Sequence, residues 1–322
     1  MIFYIYFDPA VIKDANEQGN YAIKHLQEIL KGISINCSIL TFEDYHQITE
    51  IGELVNQLPE SFDRRELTSL FTYLKKNNRF NAYLIPDYVG GKSDLRCLNE
   101  QYIDKELDII LLSQNESESY EWEVETATID TYNESIFEKE RYSYCRSGRT
   151  ISDDEYDELI YLNKFLRKLL LNANHIEICD YSFGKNVRDD YIYSWKVLIH
   201  WFAGLNNPNR NIKITIHSDK GDQGTSNFIM SELSSHLPIN ISNIEIFMKY
   251  YVPLNTNTAL PHERFIYTEQ FAFNIGRGLD LFKHSNGKTR KTALSYMNVK
   301  DVRKDVEACK HLLDSPSEIQ IC

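Results

Sequence analysis

Residues 260–282 read LPHERFIYTEQFAFNIGRGLDLF. Two apolar runs, PHERFIY and QFAFNIG, flank a short polar stretch at Thr268–Gln270, the pattern of two strands joined by a tight turn. On a strand, residues two apart share a face, so His262 and Arg264 are expected to project together while Glu263 and Phe265 point away. The second strand runs into Gly276-Arg277-Gly278, where glycines let the backbone approach a ligand closely. An imidazole, a guanidinium and glycine-exposed amides on one patch suit a phosphate group. A histidine beside phosphorus can also act as a nucleophile. The competing reading is a plain hairpin with a solvated polar face.

Around this hairpin the second half of the chain alternates strands and helices. Strand HIEICDYSF, a helix over 189–204, strand NIKITIH, helix TSNFIMSELSSHL and strand NIEIFMKYY lead up to it, and strand TALSYM and helix VKDVRKDVEACKHLLD follow. This order predicts one mixed sheet with helices on its faces. Ser152 with Glu155 three residues on forms a capping box, which predicts a helix carried to about 172 by Leu159, Leu162, Phe165, Leu166, Leu169 and Leu170. A domain boundary is expected just before it, with an N-terminal α/β domain over 1–148 and a second domain over 149–322.

The spacing within the hairpin sharpens the reading. His262-x-Arg264, four residues, Glu269, six residues, Gly276 resembles the phospholipase D motif HxKx4Dx6GSxN, with Arg for Lys, Glu for Asp and Arg-Gly-Leu for Ser-x-Asn. HERFI together with GRGLDLF is similar, more specifically, to the C-terminal domain of the MIT-domain-containing family. That domain has a phospholipase-D-like fold marked by an H-D-R strand, then IGRGLD and an aromatic pair. The upstream strand ending in Asp180-Tyr181 and the helix rich in Trp and Leu extend the likeness over about 150–315.

The resemblance implies a catalytic set of His262, Arg264 and Glu269, and phosphate binding by Arg264, Gly276, Arg277 and Gly278. It implies no metal and no cofactor. Eukaryotic members of the family are regarded as phosphoinositide binders without catalysis, and the missing Ser and Asn point the same way. Their N-terminal three-helix module, which binds ESCRT tails, has no counterpart here. Prokaryotic copies joined to varied N-terminal modules are suggestive of antiviral defence. The implied ligand is then nucleic acid, with the partner proteins of a defence operon at hand, and the alternative is an anionic phospholipid headgroup. Cleavage would need a second general acid, which implies a homodimer bringing two His262 together unless His217 substitutes for one.

The first half also reads as α/β: strands at 2–7, 35–41, 80–85 and 108–113, helices at 17–31 and 64–76, and a period-two strand over 120–129. Asp8 closes the first strand, and its placement resembles that of the first metal-binding Asp of PIN-type nucleases. Glu66 and Asp108 are acids that could join it around a divalent ion. An Asp-Pro turn is the simpler account of Asp8.

Composition narrows the partners. The 322-residue chain carries a formal charge of −12, which excludes coating a polyanion over the whole surface. One stretch runs against that balance. From Arg277 to Lys304 the bases Arg277, Lys283, Lys288, Arg290, Lys291, Lys300, Arg303 and Lys304 face only Asp280 and Asp301. Lys283, Lys288, Arg290 and Lys291 form the expected polyanion patch. The 6 cysteines are scattered without zinc-ligand spacing, which fits free thiols in a reducing, cytoplasmic setting.

Overall fold

The computed structural model describes residues 2–42, 46–83, 107–119, 121–151, 162–170, 173–185, 189–205, 211–237, 243–252, 260–276, 278, 280, 292–314 and 318–321. Its contacts divide the chain into two compact units, Ile2–Arg146 and Ser147–Cys322. Among the described residues, no helix is long and apolar enough to cross a membrane.

In the N-terminal unit, β1 (Phe3–Phe7), β2 (Cys37–Phe42), β3 (Phe80–Tyr83), β4 (Ile109–Leu111) and β5 (Thr126–Ala127) form one sheet in the order β3-β2-β1-β4-β5. Every described pairing in it is parallel. A parallel sheet is covered by helices on both faces, and its central strand FYIYF is accordingly buried at every position. The helices are α1 (Ala10–Gln18), α2 (Asn20–Asn36), α3 (His46–Gln57), α4 (Phe62–Lys76), α5 (Gln114–Ser119) and α6 (Ile136–Ser147).

Two local expectations change. The helix expected over 17–31 is the middle of a longer helical stretch broken at Gly19, whose φ of 92° stops α1 before α2 restarts. The alternating segment 120–129 yields only the two-residue β5. Glu125, expected to line a strand face, instead accepts from the backbone N–H groups of Ile136 (2.6 Å) and Phe137 (2.9 Å) and caps the start of α6.

The C-terminal unit holds β6 (Arg149–Ile151), β7 (His175–Cys179), β8 (Ile212–Asp219), β9 (Ile244–Tyr251), β10 (Phe265–Thr268), β11 (Ala272–Ile275), β12 (Thr292–Met297) and β13 (Ile319–Gln320). These make a mixed sheet in the order β13-β9-β8-β7-β10-β11-β12-β6. The strands β7, β8 and β9 run parallel, and the remaining pairings are antiparallel. The first strand of the unit pairs with its penultimate one, with Arg149 opposite Leu294.

Helices in this unit are α7 (Arg167–Leu170), α8 (Asp189–Leu205), α9 (Gln223–Ser235) and α10 (Val299–Ala308). On one face Ile176, Ile178, Ile214 and Ile266 meet Trp195, Leu198, Ile199 and Phe202 of α8. On the other, Val302 and Val306 of α10 pack with Cys179, Phe265, Tyr267 and Tyr251. The Ser152–Glu155 capping box lies outside the described residues. From Leu162 the chain is helical, first as one wide π turn (Leu162–Leu166) and then as α7.

Candidate functional site

Strand register builds the site. The start of β10 pairs antiparallel with the end of β7, Phe265 opposite Cys179, so that Arg264 comes opposite Asp180. His262 and Arg264 precede β10 rather than lying in it, because the strand begins at Phe265. They still converge, but through Tyr181 and not through the pleat of a strand.

Arg264 is fixed on three sides. Its Nε donates to Asp180 Oδ1 (3.2 Å), its Nη1 to the Gly276 carbonyl (3.1 Å) and its Nη2 to the Tyr181 hydroxyl (3.3 Å). Its Cζ stands 4.8 Å from the centre of the Tyr181 ring. The Asp180 side chain is 0% exposed and that of Arg264 18%. Burial alone would lower the guanidinium pKa, but Asp180, Tyr191 and Tyr181 together outweigh it, so Arg264 stays charged. Of five guanidinium N–H groups, two have no partner among the described residues.

The Tyr181 hydroxyl also meets Nε2 of the exposed His262 at 3.2 Å, with the two rings 4.8 Å apart. Arginine can only donate. The arrangement that uses the Tyr181 hydroxyl proton therefore runs from Arg264 to the Tyr181 oxygen, and from the Tyr181 O–H to His262 Nε2. Lys185 lies nearby, its Nζ 5.0 Å from the Tyr181 ring centre and 3.0 Å from Oδ2 of the buried Asp219.

Both glycines serve this geometry, though not as the sequence suggests. The Gly276 N–H donates to the Ala293 carbonyl (3.1 Å) and the Gly278 N–H to the Ile275 carbonyl (2.7 Å), so neither amide is held out for an anion. Gly276 contributes its carbonyl to Arg264. Gly278 contributes space, since a Cβ there would lie 2.1 Å from Asp180 Oδ2 and 2.2 Å from Arg264 Cδ.

Glu269 is not part of the patch. It sits in the turn after β10, at the far end of the hairpin from His262, and its Oε1 accepts from the backbone N–H of His175 (2.9 Å). The motif spacing placed it in a catalytic set, but in this fold the x4 segment is the strand itself and carries it away. Arg277, Lys283, Lys288, Arg290 and Lys291 fall outside the described residues.

His217 is 3% exposed and belongs to a buried network. Its Nε2 donates to Glu177 (2.8 Å) and its Nδ1 accepts from the Tyr251 hydroxyl (3.0 Å). Glu177 also accepts from the Tyr267 hydroxyl (2.6 Å). Burial would raise Glu177, yet the donors His217 and Tyr267 overcome it and hold the carboxyl at about 2. Burial lowers His217 against the pull of Glu177. This histidine stabilises the sheet face under α10 and does not reach the patch as a second acid.

Tyr181, Asp180 and Lys185 were not assigned roles from sequence, although DYSFGK follows β7 directly. The usable signal was an acid with a neighbouring aromatic at the carboxyl end of a parallel strand, where sites in such sheets gather.

In the N-terminal unit the three acids do not assemble. Asp8 follows the carboxyl end of β1, whereas Asp108 precedes β4 and accepts from the Tyr4 N–H (2.6 Å) at the opposite end of the sheet. Glu66 on α4 pairs with Lys31 (2.9 Å). Among the described residues no group of acids, histidines and cysteines is arranged to hold a metal ion.

Asp8 is nonetheless strained electrostatically. Burial raises its carboxyl to about 6 despite N–H donors from Ala10 and Ser113, and Glu116 and Glu50 push the same way. A carboxyl raised in the fold opposes folding at neutral pH, and its cost sets in as the pH climbs from the ordinary value of 3.8 past about 6. Asp8→Asn is therefore expected to stabilise the N-terminal unit at pH 7, by up to about 3 kcal/mol, with the gain gone by pH 3.5. Denaturant titrations at the two pH values check this.

No family model matches the chain, and no curated protein matches it.

Proposed function

We propose that the C-terminal unit is a phospholipase-D-like domain that binds phosphodiesters at the Tyr181–His262–Arg264 patch. We take its ligand to be nucleic acid, held without cleavage in the setting of antiviral defence. The observation that carries this reading is the pinned Arg264. A guanidinium oriented by Asp180, Gly276 and Tyr181 keeps two N–H groups that no described residue engages, and it stays charged. The exposed His262 beside it adds a donor at Nδ1.

Three features favour binding over turnover. Nε2 of His262 is engaged by Tyr181, Glu269 lies at the other end of the hairpin, and His217 is buried in its own network. Phosphoryl transfer through histidine needs a free ring nitrogen and a second acid.

The test is a gel shift with single-stranded DNA and RNA, with and without Mg2+, run beside co-sedimentation with anionic liposomes. Arg264→Ala is expected to weaken nucleic-acid binding about tenfold or more, since a charge-assisted hydrogen bond contributes roughly 1.5–3 kcal/mol. Arg264→Lys, which keeps a cation against Asp180, guards against a folding artefact. Binding is expected to survive largely intact in His262→Ala. Liposome binding without a gel shift would favour the lipid headgroup, and metal-independent cleavage lost in His262→Ala would make the protein an enzyme.

A further inference from the structure

Lys185 has the same construction as Arg264, one strand along. Arg264 is backed by Asp180 after β7, and Lys185 by Asp219 at the end of β8; both carboxylates are 0% exposed. Both cations stand against the ring of Tyr181, at 4.8 and 5.0 Å from its centre. The two charges are thus no farther apart than the sum of those distances, about 10 Å. Lys185 is 26% exposed, and only one of its ammonium N–H groups meets a described partner.

The loop that carries Lys185 is seated tightly. A Cβ at Gly184 would lie 2.5 Å from Tyr250 Cε1, and one at Gly221 would lie 2.9 Å from Lys185 Cα. The Gly184 N–H donates to Ser218 Oγ (2.6 Å). A lysine on so fixed a backbone, held by a buried carboxylate, is preorganised as a point charge rather than left to sample solvent.

We propose that Lys185 and Arg264 are a two-cation clamp across Tyr181 that takes two successive phosphates of one nucleic-acid strand. Successive phosphates of one strand, which advance about 3.4 Å along a B-form axis, come within reach of two cations no farther apart than about 10 Å. The clamp rests on the phosphodiester reading above and deepens it. A single phosphodiester can engage one cation, whereas a strand engages both, so the site prefers a repeating polyanion to an isolated diester.

The experiment titrates thymidine oligomers with one, two and three phosphodiester links into the full-length protein, followed by NMR. In the wild type the second link is expected to raise affinity about tenfold, and the third to add much less. Lys185→Met keeps the aliphatic stem over Tyr181 and is expected to abolish the second-link step while holding one-link affinity within about twofold. The double variant Lys185→Met/Asp219→Asn removes both charges, so that no carboxylate is left buried without its cation, and is expected to behave alike. A step that persists in both variants overturns the clamp. So does an equal loss for one-link and two-link oligomers, which would make Lys185 a prop for its loop. Wild-type protein that binds no oligomer yet sediments with phosphatidylserine vesicles overturns the nucleic-acid reading itself, and the clamp with it.

Discussion

Gly278→Ala is expected to cost the C-terminal unit about 4–7 kcal/mol, enough to abolish the patch and to threaten the fold. Two effects add. The residue has φ +62°, where a side chain costs about 1–2 kcal/mol. The new Cβ would sit 2.1 Å from Asp180 Oδ2 and 2.2 Å from Arg264 Cδ, so it must part a buried ion pair. Breaking such a pair costs about 3–5 kcal/mol because one charge is left uncompensated. Gly276→Ala is the control: its nearest neighbours lie at 3.6 Å, and a change below about 1 kcal/mol is expected. The fluorescence of Trp195, 1% exposed beneath the sheet, reports the unfolding of this unit. Equal stability losses in the two variants would show that the space beside Asp180 is not filled as described.

Acid is the second large lever. Glu177 is held at about 2 against an ordinary value of 4.5. Its contribution is therefore complete above pH 4.5 and is lost as the pH falls toward 2, worth about 3 kcal/mol over that window. His217 is lowered from 6.5 by burial, so the unfolded chain takes up its proton first, and stability begins to fall below pH 6.5. The groups facing the pair are His175, Thr215, Tyr251, Tyr267 and Lys249. The C-terminal unit is expected to unfold in two stages on acidification, a shallow one below pH 6.5 and a steep one below 4.5. Glu177→Gln should flatten the steep stage and deepen the shallow one, because His217 then loses the carboxylate that pulls it up against burial. Asp8 tilts the N-terminal unit in the opposite sense, so stability profiles followed separately in the two units should diverge in acid.

Much of the fold was legible in the sequence because its strands are dense in β-branched and aromatic residues and its helices show apolar stripes. The strands β7 to β12 all overlap expected segments, with β8 running two residues past its segment, to Asp219, and β10 one, to Thr268. Gly19 broke a helix because a conformational stop counts for more than a continuous stripe, and Glu125 left its strand because orphan N–H groups of α6 drew its carboxylate. Both outcomes depend on neighbours that periodicity does not report. The patch was legible only in part. His262 and Arg264 could be singled out, but Asp180, Tyr181 and Lys185 join them through the pairing of β7 with β10, and pairing is not written in spacing. Glu269 shows the converse, since a motif interval became the length of a strand and carried the residue out of reach.

The pairing of β6 with β12 bears on how the protein is made. The chain leaves the ribosome from its N-terminus, and the five strands of the first sheet are all present once Ala127 has emerged. That unit can fold while synthesis continues. The second sheet cannot close its β6 edge until Leu294 is available to meet Arg149. For the time it takes to translate the intervening residues, β6 has no partner, and the contacts it eventually makes are among the most distant in the sequence. Long-range pairings of this kind slow folding, because loop closure precedes the contacts that repay it. Chain stalled or truncated before β12 would thus carry a finished first unit and a second one still waiting for the strand that seals its edge.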